Sequence, residues 1–211
     1  MIKIENVDVY GFEAAIRGAR NPMNSWDRMD SCYNNGEFEI GENDYKLLKN
    51  LAIAGPEHRK WNRMVTVTMD ITAPLYWWKE YDTYKVGTVA NSCSTMHKIQ
   101  AKEFELDDFS YEHLTCLSLQ ILDDTVNVLN HYREKFNETK DKECWWQMIQ
   151  LLPTSYNQKR TVHLNYETLG AMYRQRKHHK LDEWHVFCDT LEKLPYSEFI
   201  TMKFNGGKTN E

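Results

Sequence analysis

No apolar run among the 211 residues approaches the roughly 20 that a membrane-spanning helix needs, so no membrane partner is expected. The start, "MIKIENVDVYGF", alternates apolar and polar residues and does not follow the basic-then-apolar plan of a signal peptide, which points to the cytoplasm. Prolines number only 5, and no Pro/Gly/Ser-rich stretch or charge block supplies a linker, so one domain over residues 1–211 is predicted. Cys32, Cys93, Cys116, Cys144 and Cys188 are odd in number and scattered, with no CxxC pair. That spacing argues against a zinc ribbon or a dithiol motif and fits reduced thiols. His178 and His179 are adjacent, so their rings cannot share a helical face as an i, i+4 metal pair would, and no metal is expected. GxSxG, Walker A, HExxH and GxGxxG sequences are all absent, and with them every generic catalytic template. With 26 basic against 31 acidic residues, the net charge of −5 disfavours sequence-independent binding to duplex nucleic acid.

What remains is an ordinary globular composition, 41% hydrophobic and 27% charged, with a heavy aromatic load of 7 Trp, 12 Tyr and 8 Phe. Most of these rings are expected to fill core or a subunit interface. Ile2, Ile4, Val7 and Val9 predict an early strand with a register shift near Asn6, and "FEAAIRGAR" a short helix stopped by Asn21-Pro22. Residues 23–41 read as loop. "GENDYKLLKNLAIAG" has the acidic first turn and terminal glycine of a helix. "RMVTVTMDIT" alternates as a strand with one buried face, and Pro74 opens a helix through "LYWWKEYDTY". Residues 107–136 form the longest helical pattern, followed by helices in "DKECWWQMIQLL", "YETLGAMYRQRKHH" and "DEWHVFCDTLEK". Two or three strands among five or six helices, without βα alternation, give an α+β class.

Two stretches gather polar chemistry. "VANSCSTMHKI", residues 89–99, holds Asn91, Ser92, Cys93, Ser94, Thr95 and His97. Its hydroxyls serve either backbone capping or ligand binding, and Cys93 lacks an evident activating base. "RQRKHHK" holds Arg174 and Arg176, with Arg160 nearby, and reads either as a solvated basic helix end or as a phosphate clamp.

Taken together, two separated segments resemble the flavin-dependent thymidylate synthase family. In "VTVTMDITAPLYWWKEYDTYKVGTVANSCSTMHKI", Asn91 and Ser94 match the Asn and Ser of the family's Asn-Glu-x-Ser-x-Arg sequence. "WWQMIQLLPTSY" through "TVHLNYETLGAMYRQRKHHKLDEW" resembles the Leu-Pro turn and Asn-anchored helix, with Asn165 and Arg176 eleven apart as in the family. The resemblance implies a central, mostly antiparallel sheet flanked by helices, and a homotetramer with sites between subunits. It also implies FAD, with NADPH and methylenetetrahydrofolate as co-substrates, and one-carbon transfer to C5 of dUMP giving dTMP. On this reading Ser94 is catalytic, Ser92, Ser94, Arg174 and Arg176 bind the nucleotide, and Asn91, Asn165, Lys85 and His58 bind the cofactor. Trp77, Trp78, Tyr81 and Tyr84 would wall the planar groups.

The chain also departs from that pattern. "KEYDTYK" stands where the family has Arg-His-Arg, leaving Lys85 as a lone cation. Ser92 stands in place of Glu, Met96 in place of Arg, and Ile149 and Glu167 near two further arginines. Arg17, Arg20, Arg28 and His97-Lys98 are the candidate replacement charges. A pyrimidine nucleotide hydroxymethylating relative and an inactive nucleotide-binding homologue are therefore the alternatives.

Overall fold

The computed structural model describes residues 2–202. Strand β1 (Lys3–Tyr10) contains the expected register shift: Asn6 sits at φ 51°, and Ile4 on one side of it and Val7 and Val9 on the other are all partly covered. Gly11, at φ 97°, turns the chain into α1 (Phe12–Arg20). A Cβ there would lie 2.3 Å from the Met64 carbonyl oxygen, so glycine is required on both conformational and steric grounds. Asn21-Pro22 then ends the helix in a single 3₁₀ turn.

Residues 23–41 are more ordered than the loop expected from their composition. β2 (Cys32–Asn34) and β3 (Glu37–Glu39) pair antiparallel, with Cys32 opposite Glu39, Tyr33 opposite Phe38 and Asn34 opposite Glu37. Asn35 and Gly36, at φ 50° and 88°, supply the two left-handed residues that let a two-residue turn match strand twist. Helix α2 (Glu42–Ala54) follows as expected. In β4 (Thr66–Pro74), Val67, Met69, Ile71 and Ala73 are buried in strict alternation, and Pro74 caps α3 (Leu75–Tyr81), which stops three residues short of the expected end.

The polar stretch 89–99 comprises an edge strand, β5 (Val89–Ser92), and a short helix, α4 (Thr95–Lys98). The long helix α5 runs Cys116–Thr139 rather than 107–136, because Thr115 accepts the Ser118 N–H and starts it there, while Leu106–Asp108 form a 3₁₀ turn instead. Helix α6 (Lys142–Leu151) is capped by Asp141. Strand β6 (Asn157–Asn165) was not foreseen; helices α7 (Tyr166–Arg176), α8 (Asp182–Leu191) and α9 (Glu198–Thr201) complete the described chain. A mostly antiparallel four-stranded sheet in the order β1-β4-β6-β5, flanked by helices, makes the fold α+β as expected; with the β2–β3 hairpin the described residues hold six strands rather than two or three. Among the described residues no helix is long and apolar enough to cross a membrane.

Contacts divide the chain into two compact units. The first takes in β1 through Glu5, Asp70–Thr83 and Ala90–Thr161. Its cluster of Ile99, Phe104, Phe109, Leu122, Val126, Leu129 and Met148 packs α5 on α6. The second takes in Asn6–Met69, Tyr84–Val89 and the residues from Val162 onward, with Ile16, Leu48, Leu169, Trp184, Phe187 and Phe199 wholly buried.

A buried ion pair organises the second unit's N-terminal part. Arg20 Nη2 and Nε both lie 2.6 Å from Asp44 Oδ1, and both side chains are almost fully enclosed. The other Asp44 oxygen accepts from Ser31 Oγ at 2.6 Å and from the Asp30 and Ser31 N–H groups at 3.0 Å. Asp30 in turn accepts the Asn43 and Asp44 N–H groups at the start of α2. Arg20, a candidate replacement cation on sequence, is thus committed to structure; Arg17 is paired with Glu13 at 2.8 Å.

Candidate functional site

In the second unit the anticipated residues gather around α7. Its first turn leaves backbone N–H groups without helical partners, and Asn165 Oδ1 accepts that of Thr168 at 2.9 Å. Thr168 Oγ1 donates to the Val86 carbonyl at 3.0 Å, and a Cβ on Gly87 (φ 71°) would sit 2.4 Å from Asn165 Nδ2. The segment Tyr84–Thr88, which carries Lys85 exposed to solvent, is therefore seated on the N-terminal end of α7. Tyr84 reaches the other end, where its hydroxyl donates to Gln175 Oε1 at 2.8 Å and accepts from Arg176 Nε at 2.9 Å. The Arg176 guanidinium lies 4.9 Å from the Trp184 ring centroid and 5.6 Å from that of Tyr84. This cradle fixes a half-buried positive charge by stacking and by the Tyr84 hydroxyl.

Arg174, two residues earlier, is not part of that cradle. Its Nη1 lies 3.1 Å from a Cβ placed on Gly170, and Arg59 and Glu167 are its electrostatic neighbours. Glu167 accepts Arg59 Nε at 3.2 Å and Nη2 at 2.9 Å, so this acidic side chain neutralises a cation.

His58 lies elsewhere in the second unit, exposed, with Nε2 3.7 Å from Glu57 Oε1. It lines a cleft of about 600 Å³ with Asn21, Leu51, Lys60, Trp61 and Met64. The Trp61 indole N–H is buried and has no hydrogen-bond partner among the described residues, an arrangement that costs free energy.

In the first unit, Asn91 and Ser92 are exposed at the end of β5. Ser94 caps α4: its Oγ accepts the His97 N–H at 3.0 Å and lies 2.9 Å from His97 Nδ1. The capping reading thus describes Ser94, which remains exposed. Trp77, Trp78 and Tyr81, expected to wall a ligand, are instead core residues packed edge-on and tilted at 4.9–5.3 Å. Their spacing on α3 turns all three inward against the sheet, leaving Tyr84 as the partly exposed ring. Burial pushes the Tyr81 hydroxyl far above its ordinary pKa, so it stays protonated.

Sequence reasoning passed over Gln158 and Asp82, and grouped Arg160 with the basic end of α7, whereas the structure pairs it with Asp82. Arg160 Nη1 donates to Asp82 Oδ1 at 2.8 Å, and its guanidinium lies 4.2 Å from the Trp78 centroid. The signal available was the inward-facing series Gln158, Arg160, Val162 and Leu164, half of it polar. Cys188 is buried, which pushes its thiol up to about 11 and makes it inert. Among the described residues no group of three or more His, Cys, Asp or Glu side chains could hold a metal ion.

No protein-family model matches the chain. No curated protein matches it either. Solved structures do: the flavin dependent thymidylate synthase ThyX from Helicobacter pylori, complexed with FAD and dUMP, superposes with a TM-score of 0.65 at 16% identity, covering 92% of this chain and 96% of that one. A second structure of the H. pylori enzyme with FAD and dUMP gives 0.64 at 16% identity, over 94% and 96%. The UMP/dUMP methylase PolB from Streptomyces cacaoi, bound with 5-Br dUMP, gives 0.60 at 16% identity, over 91% and 88%. The fold is that of the flavin-dependent thymidylate synthases.

Proposed function

We propose that the chain is a divergent FAD-dependent thymidylate synthase-like enzyme, transferring a one-carbon unit from methylenetetrahydrofolate to C5 of dUMP to give dTMP, with NADPH as reductant. The observation that carries this reading is the arrangement on α7, with Asn165 seated at one end and Arg176 held in an aromatic cradle at the other, on a fold whose solved examples bind dUMP. The residues present fit the two ligand types. Arg176 offers a forked donor to a phosphate and Lys85 a second cation. Asn91, Ser92 and Ser94 offer donors and acceptors to a uracil edge. For FAD, the open cleft lined by His58 and Trp61 fits a flat heterocycle, and Asn165 and Lys85 at the start of α7 offer separate polar groups of the same unit.

FAD, when bound, supplies the hydride that completes the transferred methyl group. The chain's residues position and polarise. With His97 Nδ1 carrying its proton toward Ser94 Oγ, the serine's own proton is directed to a uracil carbonyl, which draws electron density from the ring and readies C5. Arg176 fixes the phosphate so that C5 is presented in one orientation.

Purified protein is expected to be yellow, absorbing at about 350–480 nm. With dUMP, methylenetetrahydrofolate and NADPH it should form dTMP. A colourless preparation that takes up no FAD on incubation rejects the reading. A second reading, a hydroxymethylating relative or a non-catalytic nucleotide binder, is favoured by one observation, the neutralisation of Arg59 by Glu167. Mass analysis of the product, hydroxymethylated, methylated or unchanged, separates these.

We also infer a homotetramer in the cytoplasm. Leu117, Ile121 and Val128 stand 73%, 59% and 41% exposed along α5 at helical spacing, an apolar row of the kind that a second copy covers. Ile121→Asp should shift the species seen by light scattering to a smaller assembly while leaving α-helical content intact. An unchanged mass would remove α5 from the interface.

A further inference from the structure

Gln158 stands at a buried position of β6 and uses both ends of its amide. Oε1 accepts from Arg160 Nε at 3.0 Å, and because arginine only donates, this fixes the amide's orientation and directs Nε2 to the Cys93 carbonyl at 2.8 Å. The Gln158 backbone carbonyl accepts the Trp78 indole N–H at 2.9 Å. Arg160 is itself held by Asp82 and by the face of Trp78. The Cys93 N–H donates to the Lys159 carbonyl at 2.9 Å, so both backbone groups of Cys93 are held from β6.

Cys93 is the junction between β5 and α4, with Asn91 and Ser92 before it and Ser94 after it, all exposed. A valine or leucine at position 158 would serve the sheet at lower desolvation cost, whereas a buried amide is retained only where both its ends are satisfied. We propose that Gln158 and Arg160 are positioning residues that set the conformation of Asn91–Ser94 through the Cys93 carbonyl. What that segment recognises, a pyrimidine nucleotide, rests on the function proposed above; the relay itself does not.

Two variants test it. Gln158→Met removes both polar ends at similar volume. Gln158→Glu keeps an acceptor for Arg160 and removes the donor to Cys93. Residue-resolved amide hydrogen exchange on the full chain should show the Cys93 amide exchanging about tenfold faster in both variants, the effect of losing one hydrogen bond from a local opening equilibrium. The Leu129 amide in the buried middle of α5 should be unchanged, and the dUMP dissociation constant should rise on the order of tenfold. Unchanged Cys93 exchange in both variants overturns the relay. So does equal acceleration at Leu129, which marks general loosening. Faster exchange confined to Cys93, in a protein that binds no dUMP, sustains the relay and rejects the nucleotide reading.

Discussion

Asp44→Ala is expected to destabilise the protein by about 3–5 kcal/mol, since it leaves the Arg20 guanidinium enclosed without its counter-charge. At about 2–4 °C per kcal/mol for a chain of this length, the melting temperature should fall by roughly 6–20 °C. Burial by itself would raise the Asp44 pKa, but the hydrogen bonds from Ser31, Arg20 and the Asp30 and Ser31 amides outweigh it and hold the carboxyl below its ordinary value. A depressed folded-state pKa stabilises above the unfolded value, near 3.9, and that contribution is lost as pH falls through the folded value. Urea titrations should therefore show wild-type stability dropping below about pH 4 more steeply than that of Asp44→Asn, which has no proton to take up there. A cost under about 1 kcal/mol for Asp44→Ala would mean that the network is dispensable.

Arg176→Ala should raise the dUMP dissociation constant by about 10- to 150-fold, equivalent to the roughly 1.5–3 kcal/mol of a charge-assisted hydrogen bond. Arg176→Lys should recover only part of this, because an ammonium cannot both stack between Tyr84 and Trp184 and donate as a fork. Calorimetric titration measures the affinity, and circular dichroism checks that α7 persists. Unaltered dUMP affinity in Arg176→Ala would place the phosphate elsewhere.

Elements with strong local signals were legible from the residues alone. β4 alternates without interruption, and α2, α6, α7 and α8 show helical spacing with recognisable ends. The missed elements have a common physical reason. β6 places Gln158 and Arg160 inward, and their partners, the Cys93 carbonyl and Asp82, are 65 and 78 residues away, so no window of sequence reveals why they are tolerated. The β2–β3 hairpin is three residues per strand and largely exposed, leaving only Asn35-Gly36 as a cue. The placement of Asn165 and Arg176 at the two ends of α7 was readable as a spacing. The use of Arg20 by Asp44, and of Trp77, Trp78 and Tyr81 by the core, was not, because burial depends on contacts that close only in the folded chain.

The eleven-residue interval from Asn165 to Arg176 makes α7 a gauge. At about 1.5 Å per residue it sets the two Cα atoms roughly 16 Å apart along the axis, and three turns return them to nearly the same azimuth. Point substitutions along the helix preserve that setting. A one-residue insertion or deletion within Tyr166–Arg176 would instead swing the guanidinium by about 100° off the Trp184 ring while the amide stayed seated, so the length of this helix constrains the protein more tightly than its composition.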